Sequence, residues 1–144
     1  MLETILSHIP QRDPFLFIEE IVDRTENSIT TSKKLTGQED FFRGHFPGRP
    51  VFPGVLMCEA VFQTGALLMS LRGESAGSNK TALVTRIQGA KFKNMAKPGD
   101  HLHITVDFVE MLANAAFMKG KITANGKTIM SMEFAATLVE SGDV

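Results

Sequence analysis

Apolar positions are spread unevenly along the chain, and their spacing predicts one long helix among several strands. The run VLMCEAVFQTGALLMSL at residues 55–71 is almost entirely apolar and predicts a helix over residues 53–71. This run is 17 residues long and contains Glu59, Gln63 and Thr64, so it falls short of the roughly 20 apolar residues of a membrane span. We therefore expect a buried core helix and not a membrane helix.

Shorter apolar segments on both sides of this run predict strands. Upstream, residues 14–22 and 28–35 have strand-like patterns, and residues 38–52 predict a loop because glycine and proline recur there. Downstream, a polar loop at residues 74–80 precedes four segments bounded by turn residues, and Asn125-Gly126 predicts a two-residue hairpin between the last two. These four segments are residues 81–92, 101–111, 115–124 and 128–139.

One long helix and about six antiparallel strands predict an α+β fold in which a sheet wraps around a central helix. The 144 residues are 43% hydrophobic and 22% charged, without repeats or long linkers, so we expect one domain over residues 1–144. A net charge of −1 gives no overall field to attract nucleic acid. The N-terminus lacks the pattern of a secretory signal, so we expect a cytoplasmic protein. A sheet of this size with an open edge favours a dimer.

Two side chains near the start of the predicted helix have the properties of an acid and base pair. His45 lies in the loop GHFPGRP, residues 44–50, and Glu59 is the only charge in the apolar run. Histidine is a base near neutral pH, whereas burial keeps a glutamic acid protonated and able to donate. A turn over residues 47–54 would join the two within one chain, and a dimer would join them across subunits. Backbone N–H groups of the first helical turn, from Gly54 onward, suit a developing oxyanion.

A purely structural interpretation of these residues is also open. A loop histidine often bonds only to backbone, and Arg49 or another cation would hold a buried Glu59 without any chemistry. Cys58 is the only cysteine, so it excludes an intramolecular disulfide, and in an apolar run it is typical of an inert hydrophobic residue. His101 and His103 share a strand face without a third ligand in sequence, so we expect no metal site.

The stretch GHFPGRPVFPGVLMCEAVFQTG, residues 44–65, resembles the signature of (3R)-hydroxyacyl-acyl-carrier-protein dehydratases, which have the hot-dog fold. The similarity extends to IPQRDPFLFIEEIVDR at residues 9–24 and to KFKNMAKPGD at residues 91–100. The family often reads His-Arg-Tyr-Pro where this chain has QRDP at residues 11–14. That departure concerns the mouth of the pocket and leaves the acid and the base in place.

The resemblance implies that the protein removes water from a β-hydroxyacyl thioester to give a trans-2-enoyl thioester, without a metal or organic cofactor. It implies that His45 takes the α-proton and that Glu59 helps the hydroxyl to leave. The two residues would come from opposite subunits of a homodimer, with a trimer of dimers as the larger assembly. Glutamate in place of aspartate at position 59 resembles the branch that dehydrates without an additional double-bond isomerisation.

Further site residues follow from the same resemblance. It implies that the N–H of Gly54 holds the thioester carbonyl and that Val51 contacts His45 through its main chain. We add Phe46 and Gln63 to Gly54 and Val51 as substrate-binding candidates.

An acidic carrier protein would need a local basic surface on its partner. Four cationic residues without an acid between them are candidates for this docking patch, although lysine on a strand edge also commonly prevents aggregation. The four residues are Arg86, Lys91, Lys93 and Lys97.

The leading hypothesis is a carrier-protein-linked dehydratase of fatty-acid biosynthesis. The alternatives are a dehydratase of a specialised polyketide or aryl-acyl pathway and an acyl-thioester hydrolase of the same fold. A third alternative, a binding subunit that has lost the reaction, is disfavoured because His45 and Glu59 are both present.

Overall fold

The computed structural model describes residues 2–74 and 80–140, in which six antiparallel strands form one sheet against a long helix. The predicted polar loop at residues 74–80 falls mostly on residues 75–79, which lie outside the described residues. The elements are α1 (Leu2–His8), β1 (Glu20–Arg24), β2 (Ser28–Lys34), a 3-10 helix (Asp40–Arg43), α2 (Gly54–Leu71), β3 (Lys80–Phe92), β4 (His101–Leu112), β5 (Ala115–Ala124) and β6 (Lys127–Glu140).

The strand order is β1-β2-β4-β5-β6-β3, and every neighbouring pair is antiparallel. The predicted α+β architecture is therefore confirmed. β5 and β6 pair from Ala124 opposite Lys127, which leaves Asn125 and Gly126 as a two-residue turn. Both turn residues have positive φ, 54° and 75°, as the Asn-Gly hairpin signal predicts.

The prediction of a first strand over residues 14–22 is wrong, because β1 covers only Glu20–Arg24. At Phe15 and Phe17 the preceding backbone bonds to a side chain of α2. The N–H of Phe17 donates to Oε1 of Gln63, and the carbonyl of Phe15 accepts from Nε2 of Gln63. The short helix α1 and the 3-10 helix are also absent from the predicted elements.

The predicted core helix is α2, and half of it is buried. Within the described ranges it is the one helix long and apolar enough to cross a membrane, yet it packs against β2, β4 and β5. The helix is exposed mainly at its start, at Val55, whereas most positions between Ala60 and Met69 are buried.

Close approach between α2 and the sheet depends on two glycines. A Cβ at Gly120 of β5 would lie 2.3 Å from Cγ1 of Val61, and a Cβ at Gly65 would lie 2.7 Å from Cζ of Phe134. Both distances are far shorter than ordinary van der Waals contact. These glycines let the helix and the sheet meet directly over the middle of the core.

Replacing Gly120 with alanine is expected to destabilise the protein by about 1–3 kcal/mol, because the branched Val61 side chain has little rotamer freedom to move away. Denaturant unfolding at a fixed protomer concentration measures the change. The double variant with Val61→Ala should lose less stability than the two single changes added together. Gly44→Ala, where no atom lies within 4 Å of the added Cβ, is the control. Equal midpoints for both glycine variants would contradict this packing account.

β3 is an edge strand with apolar side chains on its surface. Leu83, Ile87 and Phe92 are 40%, 52% and 52% exposed, respectively. A long edge strand with exposed apolar residues invites pairing with another chain. This edge therefore has the features of a surface that pairs with another chain.

Candidate active site

The loop that carries His45 is closed by backbone hydrogen bonds. The N–H of Val51 donates to the carbonyl of His45 over 2.9 Å, and Phe46 and Arg49 exchange two backbone bonds of 3.3 and 2.9 Å. Gly48 supplies the positive φ of 78° that the tight turn between them requires. The proline- and glycine-rich sequence thus folds into a compact loop that fixes His45.

The imidazole of His45 is partly buried, and its Nδ1 lies 2.9 Å from the carbonyl oxygen of Val51. This is the main-chain contact that the family resemblance implies. A carbonyl can only accept a hydrogen bond, so Nδ1 is the donor and Nε2 of the neutral ring keeps its lone pair. The ring of Phe46 stacks on the imidazole with centroids 4.1 Å apart. His45 is therefore held in one orientation with Nε2 able to accept a proton.

Glu59 lies on the second turn of α2 and is partly buried. Burial raises the pKa of its carboxyl, and the hydrogen bond from Gln63 offsets only part of that rise. Nε2 of Gln63 donates to Oε2 of Glu59 over 3.0 Å. Among the described residues no cation pairs with Glu59, so Arg49 does not hold it within the protomer. A carboxyl in this setting is suited to donate a proton.

The first turn of α2 supplies backbone donors close to these groups in sequence. Pro53 precedes the helix, and its carbonyl accepts from the N–H groups of Leu56 and Met57. In the described part of the chain, the N–H groups of Gly54 and Val55 have no acceptor. Together with the positive end of the helix dipole, these N–H groups can stabilise an oxygen that becomes negative.

His45 and Glu59 share no hydrogen bond or ion pair in the protomer, as far as the described residues extend. The turn over residues 47–54 does not bring their polar atoms into contact within one chain. Each residue is instead held by its own neighbour, Val51 for the histidine and Gln63 for the glutamate.

A groove of about 700 Å³ lies beside the His45 loop, with Val51 in its lining. Its volume is within the range of small-molecule sites. Three cations, Arg49, Lys97 and Lys127, also line it. The one acid in the lining, Asp100, accepts a bond from the backbone N–H of Lys97. The sequence patterns did not reveal this groove, because its lining comes from three distant segments.

The four docking candidates are exposed but do not form a single row. β3 ends at Phe92, so Lys93 lies beyond the strand and not on the strand face of Lys91. The N–H of Lys93 donates to Ile129 at this point. Lys91 lines a surface cleft together with Lys119 and Lys121. Lys97 instead lines the groove beside the His45 loop, and Arg86 lines a third cleft.

Cys58 and the two histidines of β4 are also sequence-based candidates. Burial raises the pKa of the Cys58 thiol, which disfavours the reactive thiolate. The rings of His101 and His103 lie 4.9 Å apart, and no cluster of three or more metal-ligating side chains occurs among the residues that the structure describes.

The substrate-binding candidates occupy different environments. Phe46 is 53% exposed beside His45 and is accessible to a ligand. Gln63 is fully buried, and its amide bonds to Glu59 and to the backbone of Phe15 and Phe17. Because both polar atoms of the amide are buried and bonded within the protein, neither is presented to a substrate. The involvement of Phe15 and Phe17 was missed because the strand prediction assigned their backbone groups to a sheet.

Solved structures of known proteins share this fold. The dehydratase heterocomplex ApeI:P from Xenorhabdus doucetiae matches with a TM-score of 0.81 and 11% identity, covering 96% of this chain and 92% of that chain. The Escherichia coli PaaI protein from the phenylacetic acid degradation operon matches with a TM-score of 0.66 and 15% identity, covering 82% and 81%. At these identities the matches show the hot-dog fold alone.

Sequence comparison identifies the family as well as the fold. The FabA-like domain family matches residues 9–133. A 3-hydroxyacyl-acyl-carrier-protein dehydratase, FabZ of Caulobacter vibrioides, is 40% identical over 139 residues, covering 96% of this chain and 87% of its own. FabZ of Bacillus subtilis is 37% identical over 143 residues, covering 97% of this chain and 100% of its own. This chain therefore belongs to the FabA-like domain family and is a relative of the FabZ dehydratases.

Proposed function

We propose that this protein removes water from (3R)-hydroxyacyl thioesters carried by acyl carrier protein and releases trans-2-enoyl thioesters. The observation that carries the proposal is 40% identity to a FabZ dehydratase over 96% of the chain, with His45 and Glu59 both in place. The free Nε2 of His45 and the raised pKa of Glu59 support the roles of base and acid. We place this reaction in fatty-acid biosynthesis in the cytoplasm.

In the proposed mechanism, Nε2 of His45 takes the proton from C2 of the substrate. The C2–H electron pair forms the C2–C3 double bond while the C3–O bond breaks. Glu59 gives its proton to the departing hydroxyl, which leaves as water. The N–H groups of Gly54 and Val55 bind the thioester carbonyl oxygen, where negative charge develops as the proton leaves C2. Return of the proton from His45 to Glu59 completes the cycle.

We further propose that the working unit is a homodimer formed through β3, in which His45 of one subunit meets Glu59 of the other. The exposed apolar residues of the β3 edge support this arrangement. The start of α2 also lies against this strand, because a Cβ at Gly54 would be 3.1 Å from Phe92. A subunit paired along β3 would therefore adjoin the first turn of α2. A trimer of such dimers is the larger assembly that we propose.

Hydration of crotonyl acyl carrier protein, the reverse reaction, tests the proposed function. Loss of the enoyl absorbance reports hydration, and a thiol reagent in a parallel sample reports hydrolysis of the thioester. We expect hydration without thiol release. Thiol release without hydration would identify a thioester hydrolase, and neither reaction over C4 to C16 carrier-bound substrates would contradict the proposal.

Reversing the charges of Lys91 and Lys93 to glutamate is expected to raise the KM for carrier-bound substrate about tenfold or more, because an acidic carrier would be repelled. The KM for a small thioester analogue should not change. Arg24→Glu in β1 with Lys34→Glu in β2 makes the same change in net charge on the two strands farthest from β3 in the sheet order, and serves as the control. Equal effects on both substrates, or equal effects of both double variants, would exclude docking at Lys91 and Lys93.

A further inference from the structure

Gln63 is a fully buried polar residue in the middle of α2 that makes three hydrogen bonds. Its Oε1 accepts from the N–H of Phe17 over 2.9 Å, and its Nε2 donates to the carbonyl of Phe15 over 2.9 Å. A backbone N–H can only donate and a carbonyl can only accept. These two backbone groups therefore fix which end of the amide is oxygen and which is nitrogen.

The second N–H of the same Nε2 is directed at Oε2 of Glu59, 3.0 Å away. Since the amide cannot turn over without losing both backbone bonds, Oε2 always faces a donor. A proton on Oε2 would compete with that donor, whereas a proton on Oε1 would not. The hydrogen-bond geometry thus makes the two oxygens of the carboxyl unequal.

We propose that Gln63 is a positioning residue that keeps the acidic proton of Glu59 on Oε1, the oxygen that delivers it to the leaving hydroxyl. This inference rests on the proposed function, because it concerns the acid of that reaction. Gln63 lies four residues after Glu59, one helical turn away, so both side chains project from the same side of α2. The amide is itself anchored to residues 15–17, so the carboxyl is held by a rigid group.

Few other groups compete for Glu59. In the described part of the chain, no Lys, Arg or His side chain bonds to it. Its neighbour along the helix, Cys58, is a partly buried thiol with a raised pKa. The Gln63 amide is therefore the group within the protomer that orients the carboxyl, and its hydrogen bond favours the ionised form.

Two substitutions test this role. Gln63→Leu removes all three hydrogen bonds, and Gln63→Glu keeps the shape but replaces the donor toward Glu59 with a carboxyl oxygen. Both are expected to lower kcat about 10- to 100-fold with little change in KM, because a misplaced acid slows the chemical step more than binding. Loss of the donor removes a hydrogen bond that favours ionised Glu59. In the pH profile of kcat, the decline at high pH should therefore begin at a higher pH.

Thr64→Val is the matched control, because it also breaks a buried polar contact of α2. The hydroxyl of Thr64 bonds to that of Thr31 over 2.8 Å and has no bond to Glu59. This variant should lose stability while kcat and the pH profile of the remaining folded enzyme stay unchanged. A Gln63→Glu protein that keeps wild-type kcat and an unshifted profile would overturn the proposal.

Carbon-13 titration of the Glu59 carboxyl by NMR gives a readout that does not depend on turnover. The pKa of Glu59 is expected to rise in Gln63→Glu and to stay constant in Thr64→Val. An unchanged pKa in Gln63→Glu would overturn the positioning role. An inactive wild type with the expected shift in Gln63→Glu would instead contradict the proposed dehydratase function, so the two failures are distinguishable.

Discussion

Replacing His45 with alanine is expected to lower kcat for dehydration by about 10²- to 10⁴-fold, the usual contribution of a general base. Nε2 is the ring nitrogen left free by the bond from Nδ1 to Val51, so its removal leaves no group in this loop able to take the C2 proton. Steady-state kinetics on 3-hydroxybutyryl acyl carrier protein, followed by enoyl absorbance, measures the loss.

His45→Asn separates the loss of the base from damage to the loop. The amide nitrogen of asparagine occupies about the position of Nδ1 and can still donate to the carbonyl of Val51, but nothing replaces Nε2. We expect this variant to be as inactive as the alanine variant and to unfold at nearly the wild-type temperature. An asparagine variant with more than a tenth of wild-type kcat would exclude His45 as the base.

Replacing Glu59 with glutamine is expected to lower kcat by about 10²- to 10⁴-fold as well, because an amide cannot give a proton to the leaving hydroxyl. The glutamine keeps an oxygen that accepts from Gln63, so the local packing should persist. Kinetics with carrier-bound substrate measures the loss. A Glu59→Gln enzyme that retains most of its activity would refute the role of acid.

The pH dependence of stability gives a separate check on Glu59. Burial raises the pKa of the carboxyl in the folded state above its unfolded value, so the native state holds the proton more tightly. The stability that this contributes is present below the unfolded pKa and is lost as the pH rises through the folded pKa. Glu59→Gln cannot ionise, so it should be at least as stable as the wild type at pH 8. A large loss of stability there would show that the carboxylate has a structural role.

The sequence predicts α2 to within one residue of its observed start because one strong apolar run bears proline and glycine at its beginning. The C-terminal strands are predicted equally well, since Asn125-Gly126 and the other turn residues separate them clearly in the sequence. The strand predicted at residues 14–22 failed for a physical reason. Gln63, nearly 50 residues away, takes the backbone hydrogen bonds of Phe15 and Phe17, and no local pattern contains that partner.

The residues of the site also differ in how well the sequence predicts them. The sequence predicts His45 and Glu59 as site candidates because their settings are unusual. His45 is a histidine in a glycine- and proline-rich loop, and Glu59 is a lone acid in an apolar helix. The role of Gln63 and the basic groove beside Val51 need the tertiary structure, since both depend on segments that are far apart in the chain.

A mixed dimer tests the central claim, a dehydratase site shared between subunits, most directly. His45→Ala and Glu59→Gln chains with different affinity tags would be co-expressed, and the dimer carrying both tags would be assayed for dehydration. The mixed dimer is expected to recover about half of the wild-type kcat, because the two-fold axis leaves one site with both groups and one with neither. A mixed dimer no more active than either single variant would place both groups in one subunit or remove them from catalysis, and would contradict the account.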